Sequence, residues 1–282
     1  MELGEKIRRR RRELHLTQAE LVGDRLTRNM LSQIEKGKAM PSLPTVTYLA
    51  EALAMPVGYF FCEESEEFFY RKQFVFPRLL TLYRNGSYAE CLSTFERELG
   101  ECDDELGLMM ASCAFFCGRH AWRTGALNTA AAYLGSALEF AGETVYPTDY
   151  IRAGVSLLLA ISVNVQAPLL EFNQPGYIDS LRRAGCLDEY RYLLGEGEGY
   201  IFENEFYGEH LAAKELMKTG HYPDALAILR RIEDQKGDPK NTAFLLFRVY
   251  GDMEICYRET GNYEEAYRYS SKRVSMLAAF RS

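Results

Sequence analysis

The stretch Thr17-Gln-Ala-Glu-Leu-Val-Gly-Asp-Arg-Leu-Thr-Arg-Asn-Met-Leu-Ser-Gln-Ile-Glu-Lys-Gly37 encodes two short helices and a tight turn. Thr17 precedes a helical run and has Glu20 three residues on. That spacing makes a capping box, in which the hydroxyl takes one orphan amide and the carboxylate another. Thr27 opens the second helix and caps it in the same way. Gly37 follows the last periodic residue, where a left-handed residue is wanted. Between the helices stand Gly23 and Asp24, both turn formers.

In the second helix Leu31 and Ile34 fall at helical spacing and face inward. Arg28, Asn29, Ser32, Gln33 and Lys36 fall on the other side. Arg pairs with guanine edges, Asn and Gln with adenine edges, and Ser with a groove edge or a phosphate. A merely solvated face is the plain alternative. Two short helices with one such face make a helix-turn-helix, which sets its second helix in the DNA major groove.

Residues 3–61 resemble the Cro/C1-type (XRE-family) helix-turn-helix domain of phage repressors. The resemblance rests on Leu3-Gly-Glu-Lys-Ile7 with its basic run, Leu14-His-Leu-Thr-Gln-Ala-Glu-Leu21, Ile34-Glu-Lys-Gly37, Pro41-Ser-Leu43 and Leu49-Ala-Glu-Ala-Leu53. It implies a lambda-repressor-like domain of five helices. It also implies base contacts from Arg28, Asn29 and Gln33 and a phosphate or base contact from Gln18. Thr27, Ser32 and Lys36 complete the candidate DNA-binding set. The resemblance further implies a structural pair between Arg11 and Glu35. The turn Val22–Leu26 is about one residue shorter than in phage repressors, which predicts that the first helix of the motif ends early, at Gly23.

Charge follows the same division. Residues 1–61 hold ten Lys and Arg and seven Asp and Glu, a net of +3, whereas the whole chain is −7. A basic head on an acidic body is expected where only the head meets phosphate. The run Arg8–Arg12 spans more than one helical turn, so it cannot all face one way. Arg8 and Arg12 read as a solvated face, with phosphate contact by a member of the run as the alternative.

No apolar run reaches the roughly 18 residues of a membrane span, and the N-terminus carries no secretory signal. The seven cysteines are scattered without a Cys-x-x-Cys pair, which fits reduced thiols in a cytoplasmic protein. Cys113 and Cys117 are one turn apart on an apolar helix, and no further Cys is close enough to mark a metal site. His15, His120, His210 and His221 are dispersed, and phosphate-loop, dinucleotide and zinc-protease motifs are missing. The reading is therefore not an enzyme, with no metal and no cofactor.

The rest of the chain shows a weak repeat built on a Gly-x-(Tyr or Leu)-x-x-small turn. Clear copies are Gly86-Ser-Tyr-Ala-Glu-Cys91, Gly220-His-Tyr-Pro-Asp-Ala225 and Gly261-Asn-Tyr-Glu-Glu-Ala266. Weaker copies start at Gly125 and Gly185. Gly ends one helix, the aromatic plugs the gap, and the small residue lets the next helix approach. The spacing resembles the tetratricopeptide repeat, whose copies stack into a solenoid. The expected organisation is all-α: a DNA-binding domain at 1–64 and a tetratricopeptide-like solenoid at 65–282. An acidic, solvated linker is expected at residues 62–67. Gly195-Glu-Gly-Glu-Gly-Tyr200 and Phe172-Asn-Gln-Pro-Gly176 read as inter-helix loops.

A Cro/C1-type head fused to such repeats is similar to the peptide-sensing regulators of Gram-positive bacteria. That similarity implies a transcription regulator that binds double-stranded DNA as a homodimer and takes a short peptide in the concave face of its repeats. Asn side chains hold the peptide backbone in that family, because an amide both donates and accepts. Asn164, Asn204 and Asn241 are the candidates, with Tyr200, Phe206 and Tyr207 beside them. The alternative is a constitutive repressor whose repeats serve only as a dimerisation and protein-interaction scaffold. Both readings give a dimer, since one recognition helix reads too few base pairs.

Overall fold

The structure, a computed structural model, describes residues 2–163 and 176–280. It is all-α, with fifteen α-helices among the described residues. The chain divides into two compact units, Met1–Cys102 and Asp103–Ser282.

The first unit opens with α1 (Leu3–Glu13), α2 (Gln18–Val22), α3 (Arg28–Glu35) and α4 (Leu43–Ala52). The fifth element of the head is a single 3-10 turn, Val57–Phe60, which drives Tyr59 and Phe60 into the core. Ile7, Leu21, Leu31, Ile34, Val46, Leu49 and Leu53 form that core, each at most 1% exposed. Both halves of the Thr17–Glu20 capping box are present, and the Thr27 hydroxyl accepts from Met30 N. Helix α2 does end early, at Gly23. There the Tyr48 hydroxyl donates to the carbonyls of Val22, at 3.1 Å, and Leu21, at 3.3 Å, so side-chain chemistry replaces a further helical turn. Helix α1 crosses α3 so closely that a methyl group on Gly4 would lie 2.1 Å from the Ile34 carbonyl oxygen.

The acidic segment is solvated at residues 63–66, as expected, but its last residue, Glu67, turns inward. Lys6 is fully buried, and a buried ammonium needs a counter-charge. Glu67 supplies it, 3.2 Å from Lys6 Nζ. The Glu67 carboxylate also accepts from Arg9, while Lys6 Nζ donates to the carbonyls of Cys62 and Tyr59. Consequently α5 (Glu67–Arg84) and α6 (Tyr88–Glu98) group with the head in the first unit, which runs past residue 64 to Cys102.

The second unit holds α7 (Asp104–Thr124), α8 (Leu127–Gly142), α9 (Asp149–Val163), α10 (Tyr177–Ala184), α11 (Leu187–Leu194), α12 (Glu205–Lys218), α13 (Tyr222–Asp234), α14 (Ala243–Glu259) and α15 (Tyr263–Phe280). Each helix packs on the next, and α7 on α9 and α12 on α14 as well, as in helical repeats. All five repeat glycines sit in inter-helix turns, with φ from +66° to +87°. The small residues that follow are buried: Cys91 and Ala225 at 0%, Ala130 at 1% and Ala266 at 8% exposed. The plug residue varies more. Tyr88 and Tyr222 are half-buried, whereas Tyr263, the first residue of α15, is 70% exposed. A stack of nearest neighbours alone would also leave α7 and α14 apart. Here they meet, with the Trp122 and Phe244 rings 5.5 Å apart.

Candidate nucleic-acid interface

Helix α3 is placed by its apolar side. Leu31 and Ile34 are at most 1% exposed, so the opposite side faces solvent. Arg28, Asn29 and Lys36 are exposed, and Ser32 and Gln33 half-buried. Among the described residues none of these five side chains has a hydrogen-bond or ion-pair partner. Arg28 and Asn29 are the first two residues of α3, so the early end of α2 leaves them at the leading turn of the motif's second helix. Thr27 is exposed and uses its hydroxyl oxygen as a cap, which leaves the O–H free to donate. Met30, 45% exposed, shares this surface. An apolar residue gives no hydrogen-bonding signal in the sequence, yet such a side chain suits a thymine methyl.

A buried polar knot holds the face from behind. Arg11 Nε lies 2.6 Å from Glu35 Oε1 and Arg11 Nη2 3.1 Å from Oε2, a two-pronged fork. Gln18 Nε2 donates to Glu35 Oε2 at 2.8 Å, and Arg11 Nη1 donates to the Leu16 carbonyl. The Glu35 carboxyl is 3% exposed. Burial pushes its pKa up, but the hydrogen bonds from Arg11 and Gln18 outweigh burial and hold it below the ordinary carboxylate value. One knot thereby joins α1, α2 and α3. It also commits one N–H of the Gln18 amide, leaving the second free.

The basic run splits. Arg9 pairs with Glu67 and the Tyr59 hydroxyl, Arg10 with Glu13 and the Leu53 carbonyl, and Arg11 with Glu35. Arg8 and Arg12 are exposed and flank a shallow groove with Glu5 and Glu13. Lys38, just after Gly37, is exposed too. The free cations of the head are therefore fewer than the composition suggests.

The ligand candidates fare differently. Asn164 lies outside the described residues, as does the 172–176 loop apart from Gly176. Asn204 caps α12, accepting from Phe206 N and donating to the Lys240 carbonyl at 2.7 Å. Asn241 is 6% exposed and donates to the Ile232 carbonyl at 2.5 Å. Both amides thus hold local structure. Phe206 and Tyr207 are core residues, at 2% and 0% exposed. Tyr200 donates its hydroxyl to Asp188 at 2.8 Å, on the wall of a cleft. All seven cysteines are free thiols. Among the described residues no cluster of His, Cys, Asp and Glu is arranged to hold a metal, and no helix is long and apolar enough to cross a membrane.

The helix-turn-helix family model HTH_3 matches residues 7–60, so this part of the chain is a helix-turn-helix domain. No curated protein matches the chain. A solved structure of Bacillus thuringiensis PlcR in complex with the peptide PapR7 and DNA aligns over 99% of this chain and 96% of that one. Identity is 20% and the TM-score 0.23. At that TM-score the likeness carries no structural or functional weight.

Proposed function

We propose that this protein is a sequence-specific DNA-binding transcription regulator that acts as a homodimer. Residues 1–64 serve DNA binding and residues 65–282 form a helical-repeat part that senses a peptide or another small ligand. Arg28, Asn29 and Gln33 read base edges. Thr27, Ser32, Lys36 and the free N–H of Gln18 hold phosphate or groove edge. The observation that carries this reading is the polar side of α3: five side chains without partners among the described residues, on a helix fixed by an internal knot. A fold that needed those groups for its own stability would have paired them.

A second reading, a constitutive regulator whose repeats are only a scaffold, is supported by the internal use of the Asn204 and Asn241 amides. It also draws on the outer face of α15, where Tyr263, Tyr267 and Val274 are 64–76% exposed. Selection of random duplexes by the full chain, followed by sequencing, tests DNA reading under either view. A recovered motif is expected; recovery of none overturns sequence-specific reading by the free protein.

A further inference from the structure

The second unit contains a cleft that the DNA-reading head does not use. It has a volume of about 400 Å³ and opens between the end of α7, the α10–α11 turn, residues 200–204 and residues 239–242. Sites of this size take small ligands. Its wall holds four cationic side chains and three carboxylates. A simple anion would meet the carboxylates, and a simple cation would meet the arginines.

The floor narrows the choice. Glu189 is 2% exposed, and its Oε1 accepts from Arg123 Nη2 at 3.1 Å. Its Oε2 is buried and has no hydrogen-bond partner among the described residues, and the same holds for Arg123 Nε. Asp188 next to it is already spent on the Tyr200 hydroxyl and Asn204 N. One acceptor and one donor therefore stand unmet on the Arg123–Glu189 pair, and Arg191 Nε on the same lining is a further buried donor without a partner among the described residues. Leaving such groups unmet is costly unless something completes them. A ligand that completes both must present a donor and an acceptor a few ångströms apart.

We propose that this cleft binds an α-amino-acid zwitterion. Its ammonium pairs with the Glu189 carboxylate and its carboxylate with the Arg123 guanidinium, with Arg182 and Lys240, themselves paired to Asp179 and Glu205, at the rim. A free amino acid and a very short peptide share this chemistry. The proposal deepens the sensing role given above and rests on it only for an effect on DNA.

The test is calorimetric titration of the full chain with each free α-amino acid, and with Ala-Ala and Ala-Ala-Ala. Each probe is used unblocked, N-acetylated and C-amidated. Saturable binding of at least one unblocked probe is expected at about millimolar or tighter, weakened about tenfold or more by blocking either end. The tighter arm identifies the source, amino acid or peptide. Glu189→Gln should bring the unblocked probe down to the N-acetylated one. Because Glu189 is buried and that variant could fail to fold, Arg182→Ala and Lys240→Ala, at side chains 62% and 51% exposed, probe the carboxylate side without touching the floor. Both should weaken binding. Three outcomes overturn the proposal: no saturable binding by any probe, equal binding of blocked and unblocked forms, or rim variants that bind as the parent does. The first would mean that Arg123 and Glu189 simply close into a two-pronged fork. Duplex selection on the same preparation separates the two readings. An operator motif without ligand binding removes only the cleft, and ligand binding without a motif removes only the DNA reading.

Discussion

Arg28 and Gln33 are the residues whose substitution separates reading from folding. Neither side chain has a partner among the described residues, so alanine should leave stability unchanged. It should lower affinity for the selected operator by about 1–3 kcal/mol and relax the base preference at one position. A competition assay against non-specific duplex checks this, and unchanged discrimination in both variants would remove them from the base-reading set. Arg11 is the opposite case. Arg11→Ala strands the buried Glu35 carboxylate and should cost about 2–4 kcal/mol by chemical denaturation, somewhat below a fully buried pair because Arg11 meets water at its edge. The Glu35 pKa is held below its ordinary value. The pair's stabilisation is therefore present above the unfolded carboxylate pKa and lost as pH falls through the folded one. Arg11→Ala should flatten that acid limb. In the second unit His210 is fully buried, with Nδ1 2.6 Å from the Tyr192 hydroxyl and Nε2 2.9 Å from Asp252 Oδ2. Burial lowers its pKa below the ordinary 6.5, against the opposing pull of Asp252, and Lys214 and Arg248 add to the lowering. The unfolded chain then binds the extra proton first, so stability falls as pH drops below about 6.5. Denaturation midpoints at about pH 7.5 and about pH 5.5 measure this. In His210→Gln that part of the difference should vanish, and an unchanged difference would contradict the assignment.

At the scale of elements, the head depends on one close crossing. A methyl group at Gly4 meets a backbone carbonyl, which has no side-chain freedom to give way. Gly4→Ala should therefore destabilise the chain by about 1–3 kcal/mol despite its helix-favouring gain. Equal stability of the two proteins would show that α1 moves freely over α3. The elements that were legible in the sequence share a local cause. Thr17, Thr27 and the five turn glycines act through neighbours three or four residues away, and each appears where its spacing placed it. The polar and apolar sides of α3 were legible for the same reason. What was not legible depends on distant partners. Nothing local to Lys6 marks it for burial, and the return of Glu67 supplies its counter-charge. Asn204 and Asn241 had the right chemistry for a ligand, but residues 36 and nine positions away claim their amides. The meeting of Trp122 with Phe244 joins helices more than a hundred residues apart, and no repeat spacing encodes it.

The whole molecule has one basic part, residues 1–61, and an acidic remainder. In the proposed function a single α3 would contact only a few base pairs, so two copies related by a two-fold axis, with half-sites separated by whole helical turns, are expected. The repeats supply surfaces on which a ligand or a second copy can act. The most direct measurement is the selection of random duplexes by the full chain at moderate salt. The expected result is a two-fold motif whose half-sites lose definition at one base position each in Arg28→Ala and Gln33→Ala. A pool that stays random, or a motif that survives both substitutions unchanged, would contradict it.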